Sequence, residues 1–199
     1  MDEVYLTLTL HLMKQLLTYD QHLFKIINNQ WSNPAFDWLM PWLRNSEMWY
    51  PLYLFLILLV VVNYKKNALW WIVFAAGTII LCDFVSSGIL KNNIIRLRPC
   101  NEPAIATWVH VLVGYRPQSS SFTSSHAANH FGMAMFFYLT LKTRFNKWPV
   151  LFFLWAFAIS FAQVYVGVHY PLDIICGGLI GILIGYLSGR SFNRNYGLV

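Results

Sequence analysis

Five apolar runs separated by short polar or basic stretches dominate the chain: roughly Met48 to Tyr64, Ala68 to Leu90, Thr123 to Leu141, Trp148 to Val168 and Leu172 to Ser188. A helix needs about 20 residues to cross a hydrocarbon core of about 30 Å, so each run predicts a membrane-spanning helix, the first and last being short ones. The leading 47 residues carry another pattern. Leu6, Leu10, Met13 and Leu17 recur at helical spacing between Asp2, Glu3, His11, Lys14 and Gln15, and Leu23, Phe24, Ile27 and Trp31 repeat it. That predicts amphipathic helices lying in the membrane interface or packed on the bundle. A sixth span over residues 4–19 is the alternative. Trp31, Trp38, Trp42 and Trp49, beside Pro34, Pro41 and Pro51, form an aromatic belt suited to the headgroup level.

The expected fold class is therefore all-α: a polytopic membrane helix bundle of five spans, with six as the alternative. Residues 1–47 are its N-terminal amphipathic helices, 48–190 the transmembrane bundle and 191–199 a cytoplasmic tail. Composition agrees, since 57% of residues are hydrophobic and only 11% charged, against about 25% charged in ordinary soluble domains. A chain of 199 residues filled in this way leaves little for a separate soluble domain. The acidic start lacks the basic and apolar regions of a signal peptide. Three cysteines, two of them in apolar runs, give neither a disulfide framework nor metal-type spacing. Nucleic acid is not an expected partner, and oligomeric state is left open.

Loop charges set the expected orientation. In a five-span chain Lys65, Lys66, Lys142, Arg144, Lys147, Arg190 and Arg194 share one side, densely placed in short segments, which assigns that side to the cytoplasm. Lys14, Lys25, Arg44, Lys91, Arg96, Arg98 and Arg116 are spread over longer stretches on the other side.

That outer side also receives three polar clusters: Lys91-x6-Arg98-Pro99, Ser124-Ser125-His126 and His169-x3-Asp173. If the helix carrying Lys91 continues, Arg98 lies within about 20° of the same face two turns on, so two cations converge on one anion. A juxtamembrane basic cluster for anionic headgroups is the plainer reading. Ser124 and Ser125 stand where serine caps a helix whose free N–H groups bind phosphate. Capping alone accounts for the serines but not for His126, a residue suited to proton transfer near neutral pH. Pro171 makes one helix through His169 and Asp173 doubtful and is better placed at the start of the last helix, with Asp173 in its first turn. A carboxylate bonded to one imidazole nitrogen leaves the other free to attack.

Together these clusters resemble the type 2 phosphatidic acid phosphatase family, integral membrane lipid phosphatases related to vanadium haloperoxidases. The resemblance covers Lys91 to Asp173 and, by its pattern of spans, extends to about residue 190. It implies that His169 attacks phosphorus to form a phosphohistidine, that Asp173 orients it, and that His126 protonates the leaving oxygen and later activates water. Lys91, Arg98, Ser124, and the backbone around Ser125 and His126, would hold the phosphoryl oxygens. No metal or other cofactor is implied. The expected protein is a phosphatase of the plasma (inner) membrane, its site on the extracytoplasmic face, acting on a lipid phosphate or diphosphate such as undecaprenyl diphosphate, a phosphatidate-type lipid, phosphatidylglycerol phosphate or a lipid A phosphate.

Two positions depart from the family pattern. Thr123-Ser124-Ser125-His126 replaces Pro-Ser-Gly-His, a mild change because serine still offers its N–H. Ala162-Gln163 replaces Ser-Arg, and the missing arginine would normally grip the phosphoryl group, a contact worth about 10²–10³ in rate. Either Gln163 donates a neutral hydrogen bond while Arg96 or Arg116 supplies charge, or the enzyme is slower or differently tuned, or the chain is a degenerate lipid-phosphate binder. Retention of His126, His169 and Asp173 argues against the last, and haloperoxidase chemistry suits a soluble site better. Asp83, inside a span, is expected to be a structural partner or a supporting group, and the Ser119 to Ser121 run an ordinary connecting loop.

Overall fold

The computed structural model describes residues 2–198, with side chains described from Tyr5 onward; Met1 and Val199, the last residue of the expected tail, lie outside the described residues. Among the described residues there are helices and no strands. The seven principal helices are α1 (Asp2–Lys25), α2 (Pro34–Arg44), α3 (Tyr50–Asn63), α4 (Lys65–Asp83), α5 (Ser125–Phe145), α6 (Leu151–Tyr165) and α7 (Pro171–Asn195). Helices are the form in which an isolated apolar segment satisfies its own backbone inside lipid.

Among the described residues, four stretches are long and apolar enough to cross a membrane: Ser46–Asn63, Lys65–Asn93, Trp148–Tyr165 and Pro171–Asn195. Their outward faces carry exposed Leu54, Phe55 and Leu58, Leu69 and Ile80, Leu154 and Phe157, and Leu179 and Leu183. Helix α5 differs because it is the centre of the bundle. It packs on α4, α6 and α7, buries Met133, Ala134, Phe136 and Phe137, and carries its polar residues at its two ends. The indole of Trp71 donates to Thr140 Oγ1 at 3.0 Å and stacks on Phe137. Helix α7 runs on to Asn195 without a breaker, so residues 191–195 continue the last helix beyond the boundary expected at 190. Leu198 then packs into the core.

The small-residue stripe of α7 brings its backbone against α5. A Cβ on Gly181 would collide with the carbonyl of Ala128, and one on Gly185 with the carbonyl of Gly132. Backbone cannot yield as a side chain tip does. Gly185→Ala is therefore expected to destabilise the bundle by about 1–3 kcal/mol or more. Gly77, with nothing within 4 Å of its Cβ position, is the matched control: Gly77→Ala should be neutral, or stabilising by up to about 1 kcal/mol. Thermal unfolding in detergent separates the two, and equal melting temperatures would contradict close α5–α7 packing.

Within the N-terminal segment, burial begins near the end of α1. Leu6, Leu10, Met13 and Leu17 of α1 are all exposed, whereas Asp20, Phe24, Ile27 and Asn28 are buried. Asn28 donates to the carbonyls of His110 and Tyr165, both at 2.7 Å. Asn33 caps α2, its side chain accepting from Phe36 N, and Tyr165 donates to Asp37 Oδ1 at 2.7 Å. These bonds lay α2 along the C-terminal end of α6, where the polar groups gather.

Candidate active site

His169 is positioned by the way α6 ends. Gly167 has φ +85°; its N–H donates to the carbonyl of Val164, and that of Val168 to Gln163. This is a Schellman termination, which places glycine at the left-handed position. Four residues after Gly167, Pro171 opens α7 with its fixed φ and no N–H to satisfy. His169 sits in the link between, 2% exposed.

Its tautomer follows from its partners. Arg98 Nη1 lies 3.0 Å from His169 Nε2, and because a guanidinium only donates, Nε2 must present its lone pair. The ring proton is then on Nδ1, which faces Asp173 Oδ2 at 3.5 Å. Burial is the largest influence on the ring and lowers its pKa to about 4, although Asp173 pulls the other way. His169 is therefore neutral at pH 7, with its lone pair available.

Asp173 is fully buried and densely held. Oδ2 accepts from Ser121 Oγ at 2.5 Å and from the Tyr170 N–H at 2.9 Å, while Oδ1 pairs with Arg96 Nη1 at 2.6 Å. Arg96 in turn pairs with Asp20 at 2.5 Å and lies over the Tyr170 ring. Burial opposes its charge, but the two carboxylates outweigh burial and hold its pKa above the ordinary guanidinium value. Asp20 also accepts from the Leu172 N–H at 2.8 Å, so α1 is fastened to the first turn of α7.

The cations do not lie on one helix, contrary to the continuation considered from Lys91 to Arg98. After α4 the chain winds through a π-helix, Phe84–Leu90, and a final turn, Lys91–Asn93, and then extends. The helix stops at Asn93, with Ile94 already extended, and Pro99 disfavours any return to helical backbone at Arg98, which adopts φ −74°, ψ 152°. In the extended stretch side chains alternate. Arg96 and Arg98 turn into the protein, while Ile95, 91% exposed, and Leu97 turn out. Arg98 is fixed further by bonds from Nε and Nη2 to the carbonyl and hydroxyl of Ser119 and from Nη1 to the carbonyl of Val168. The 119–121 run is thus part of the site.

Across from Arg98, Lys91 Nζ donates to Ser125 Oγ at 2.8 Å. Ser125 also meets Ser87 Oγ at 2.7 Å, and Ser87 donates to Asp83 Oδ1. Asp83 thus reaches Lys91 through two serines, as a supporting group. Ser124 caps α5, its hydroxyl oxygen accepting from Ala127 N at 3.4 Å, which leaves its O–H as a donor for an anion. His126, half-buried in the first turn of α5, is within electrostatic reach of His169, Arg44 and Lys91. Its carbonyl is met by His130 Nδ1 at 2.8 Å, and His130 packs on Trp155; it belongs to the bundle.

At position 163 the charge comes from another quarter than expected. Arg96 is committed to Asp20 and Asp173, and Arg116 donates to the Cys100 carbonyl. It is Arg44, the last residue of α2, that reaches Gln163, its Nε donating to Oε1 at 3.2 Å.

The arrangement gives a buried imidazole lone pair backed by a carboxylate, two cations beside it, a helix N-terminus and a second histidine. Those are the parts needed to transfer a phosphoryl group through nitrogen. Comparisons with known proteins lead to phosphatases. A lipid A 4′-phosphatase of Bacteroides thetaiotaomicron is 35% identical over 158 residues, covering 78% of this chain and 69% of that protein. An undecaprenyl-diphosphatase of Sulfolobus acidocaldarius is 30% identical over 182 residues, covering 88% and 79%. The crystal structure of Aquifex aeolicus LpxE superposes with a TM-score of 0.61 at 26% identity, covering 85% of this chain and 94% of that one. The family model of the PAP2 superfamily matches residues 68–196, a segment that includes Lys91, Arg98, Ser124, His126, His169 and Asp173, and the chain belongs to that superfamily.

Proposed function

We propose that this membrane protein is a phosphatase of lipid phosphates or diphosphates that works through a phosphohistidine at His169, with a lipid A-type phosphomonoester as its leading substrate. The observation that carries the reading is the Arg98–His169–Asp173 line, which fixes Nε2 as the lone-pair atom and sets a guanidinium against it. The lipid A preference rests on the 35% identical relative.

In the first step the phosphoryl group settles against Arg98 and Lys91 and draws Arg98 Nη1 away from Nε2. The Nε2 lone pair forms a bond to phosphorus while the bond from phosphorus to the lipid oxygen breaks, and His126 gives that oxygen a proton. Asp173 steadies the positive charge that develops on the imidazole. In the second step His126, now neutral, takes a proton from water as the water oxygen attacks phosphorus. The N–P bond breaks, its electron pair returns to Nε2, and inorganic phosphate leaves. Ser124, Ser125 and the N-terminal amides of α5 serve the equatorial oxygens, with Gln163 at the far side.

The ends of the same helices support an orientation. Lys91, the start of α5 and the start of α7 lie at one end; Lys65, Lys142, Arg144, Arg190 and Arg194 lie at the opposite ends. With five spans, basic residues are cytoplasmic and the site opens on the extracytoplasmic face of the plasma (inner) membrane. Residues 1–47 then lie at that outer interface. Exposed Ile95 and Leu97 beside the inward arginines suit a substrate whose headgroup is anionic and whose tails stay in lipid.

Phosphate release from lipid A, undecaprenyl diphosphate, phosphatidylglycerol phosphate and phosphatidate, in detergent with EDTA, tests this reading. The expected result is release with the highest kcat/KM on lipid A, unaffected by chelator. Release from none of the four lipids, or equal release from a water-soluble phosphomonoester, would sink it.

A further inference from the structure

Arg44 is a cation in want of an anion. Among the described residues no carboxylate pairs with it. Its contacts are the Gln163 side-chain oxygen at 3.2 Å and, through Nη2, the Tyr115 hydroxyl at 3.5 Å, with the Tyr115 ring 5.9 Å away. It is half-buried at the end of α2, within electrostatic reach of both His126 and Arg98. Bringing a third positive charge beside Arg98 and Lys91 is unfavourable unless an anion joins them.

Gln163 points the same way. Because Arg44 only donates, the amide must turn its oxygen to Arg44. Its Nε2 is then left as a fully buried donor with no partner among the described residues. A buried donor without an acceptor costs stability, and a phosphoryl oxygen would supply the acceptor. The docking of α2 on α6 through Tyr165, Asp37 and Asn33 holds this pair in place. Arg44 also lies outside residues 68–196, the segment matched by the family.

We propose that Arg44, reaching in from α2, is the third cation on the substrate phosphoryl group, set in place by Gln163, whose free N–H₂ donates to the same group. The inference rests on the phosphatase reading and deepens it. It makes α2 part of the active site rather than a scaffold beside it, and it explains how glutamine at 163 is compatible with activity.

The experiment compares the parent, Arg44→Gln, the exchange variant Arg44→Gln/Gln163→Arg and the control Lys142→Gln, which alters a cation at the far end of α5. Two readouts are taken: kcat/KM for lipid phosphate hydrolysis and the affinity for orthovanadate, followed by its effect on melting temperature. Arg44→Gln should lower kcat/KM about 10²-fold and weaken vanadate binding at least tenfold, while the vanadate-free melting temperature stays unchanged. The exchange variant should recover at least tenfold of the lost kcat/KM, and Lys142→Gln should match the parent. Arg44→Gln within threefold of the parent in both readouts would overturn the inference. So would loss accompanied by a lower melting temperature and no recovery in the exchange variant, which would make Arg44 a brace between α2 and α6. A parent that binds vanadate but hydrolyses no lipid would count against the substrate reading, and the vanadate comparison would still decide on Arg44.

Discussion

Alanine at position 169 is expected to remove phosphate release from every lipid substrate, a fall of about 10⁴-fold or more. No neighbour can take over the attack. His126 lies on α5, where the mechanism needs it for proton transfer; His130 is buried against Trp155. Ser121 and Ser125 are held by Asp173 and Lys91. The substitution also leaves Arg98 free of its imidazole partner, so anion binding should persist or tighten. Loss of turnover with retained vanadate binding is therefore the expected signature. Turnover within tenfold of the parent would show that His169 is not the nucleophile.

Asp173→Asn carries the second largest expected effect, about 10³–10⁴-fold in kcat, by the logic that governs other carboxylate–histidine pairs. An asparagine can present its N–H₂ to Nδ1, which would favour the tautomer with its lone pair on the wrong nitrogen. The carboxylate's other partners, Ser121, the Tyr170 N–H and Arg96, would compete to orient the amide. Arg96 keeps Asp20, so the fold should survive. The pH profile adds a readout that a structural lesion would not mimic. Burial depresses the His169 pKa to about 4 and Asp173 partly offsets this by raising it. Removing the carboxylate lowers the pKa further, and since the neutral ring attacks, any acid limb due to His169 should move to lower pH. A limb that moves upward, or a rate within tenfold of the parent, would contradict the assigned role of Asp173.

Much of this site is visible in the chain because its members stand at helix ends marked by local signals. Pro171 announces the start of α7 and Asp173 its first turn; Ser124 before an apolar run announces the cap of α5; the glycines of α7 announce close packing. Lys91 and Arg98 were legible as a pair, but the helix between them was not there. The preference of Arg98 for extended backbone before Pro99 was available to read. Other partners have no sequence period to reveal them. Arg96 reaches Asp20 across 76 residues and Asp173 across 77, Ser121 reaches Asp173 across 52, and Arg44 reaches Gln163 across 119. Such pairs are products of helix docking. Burial of Asp173 is what requires Arg96 and Ser121 around it, and that burial appears only when the helices are assembled.

The most direct measurement is to trap the intermediate. The purified protein is mixed with a lipid phosphate carrying a radiolabelled phosphoryl group, quenched in alkali within the first turnover, digested, and the labelled peptide sequenced by mass spectrometry. An alkali-stable, acid-labile phosphoryl group is expected on His169, absent from His169→Ala and retained longer in His126→Ala. Label on another residue, or single-turnover hydrolysis with no labelled protein at any time, would contradict a phosphohistidine at His169.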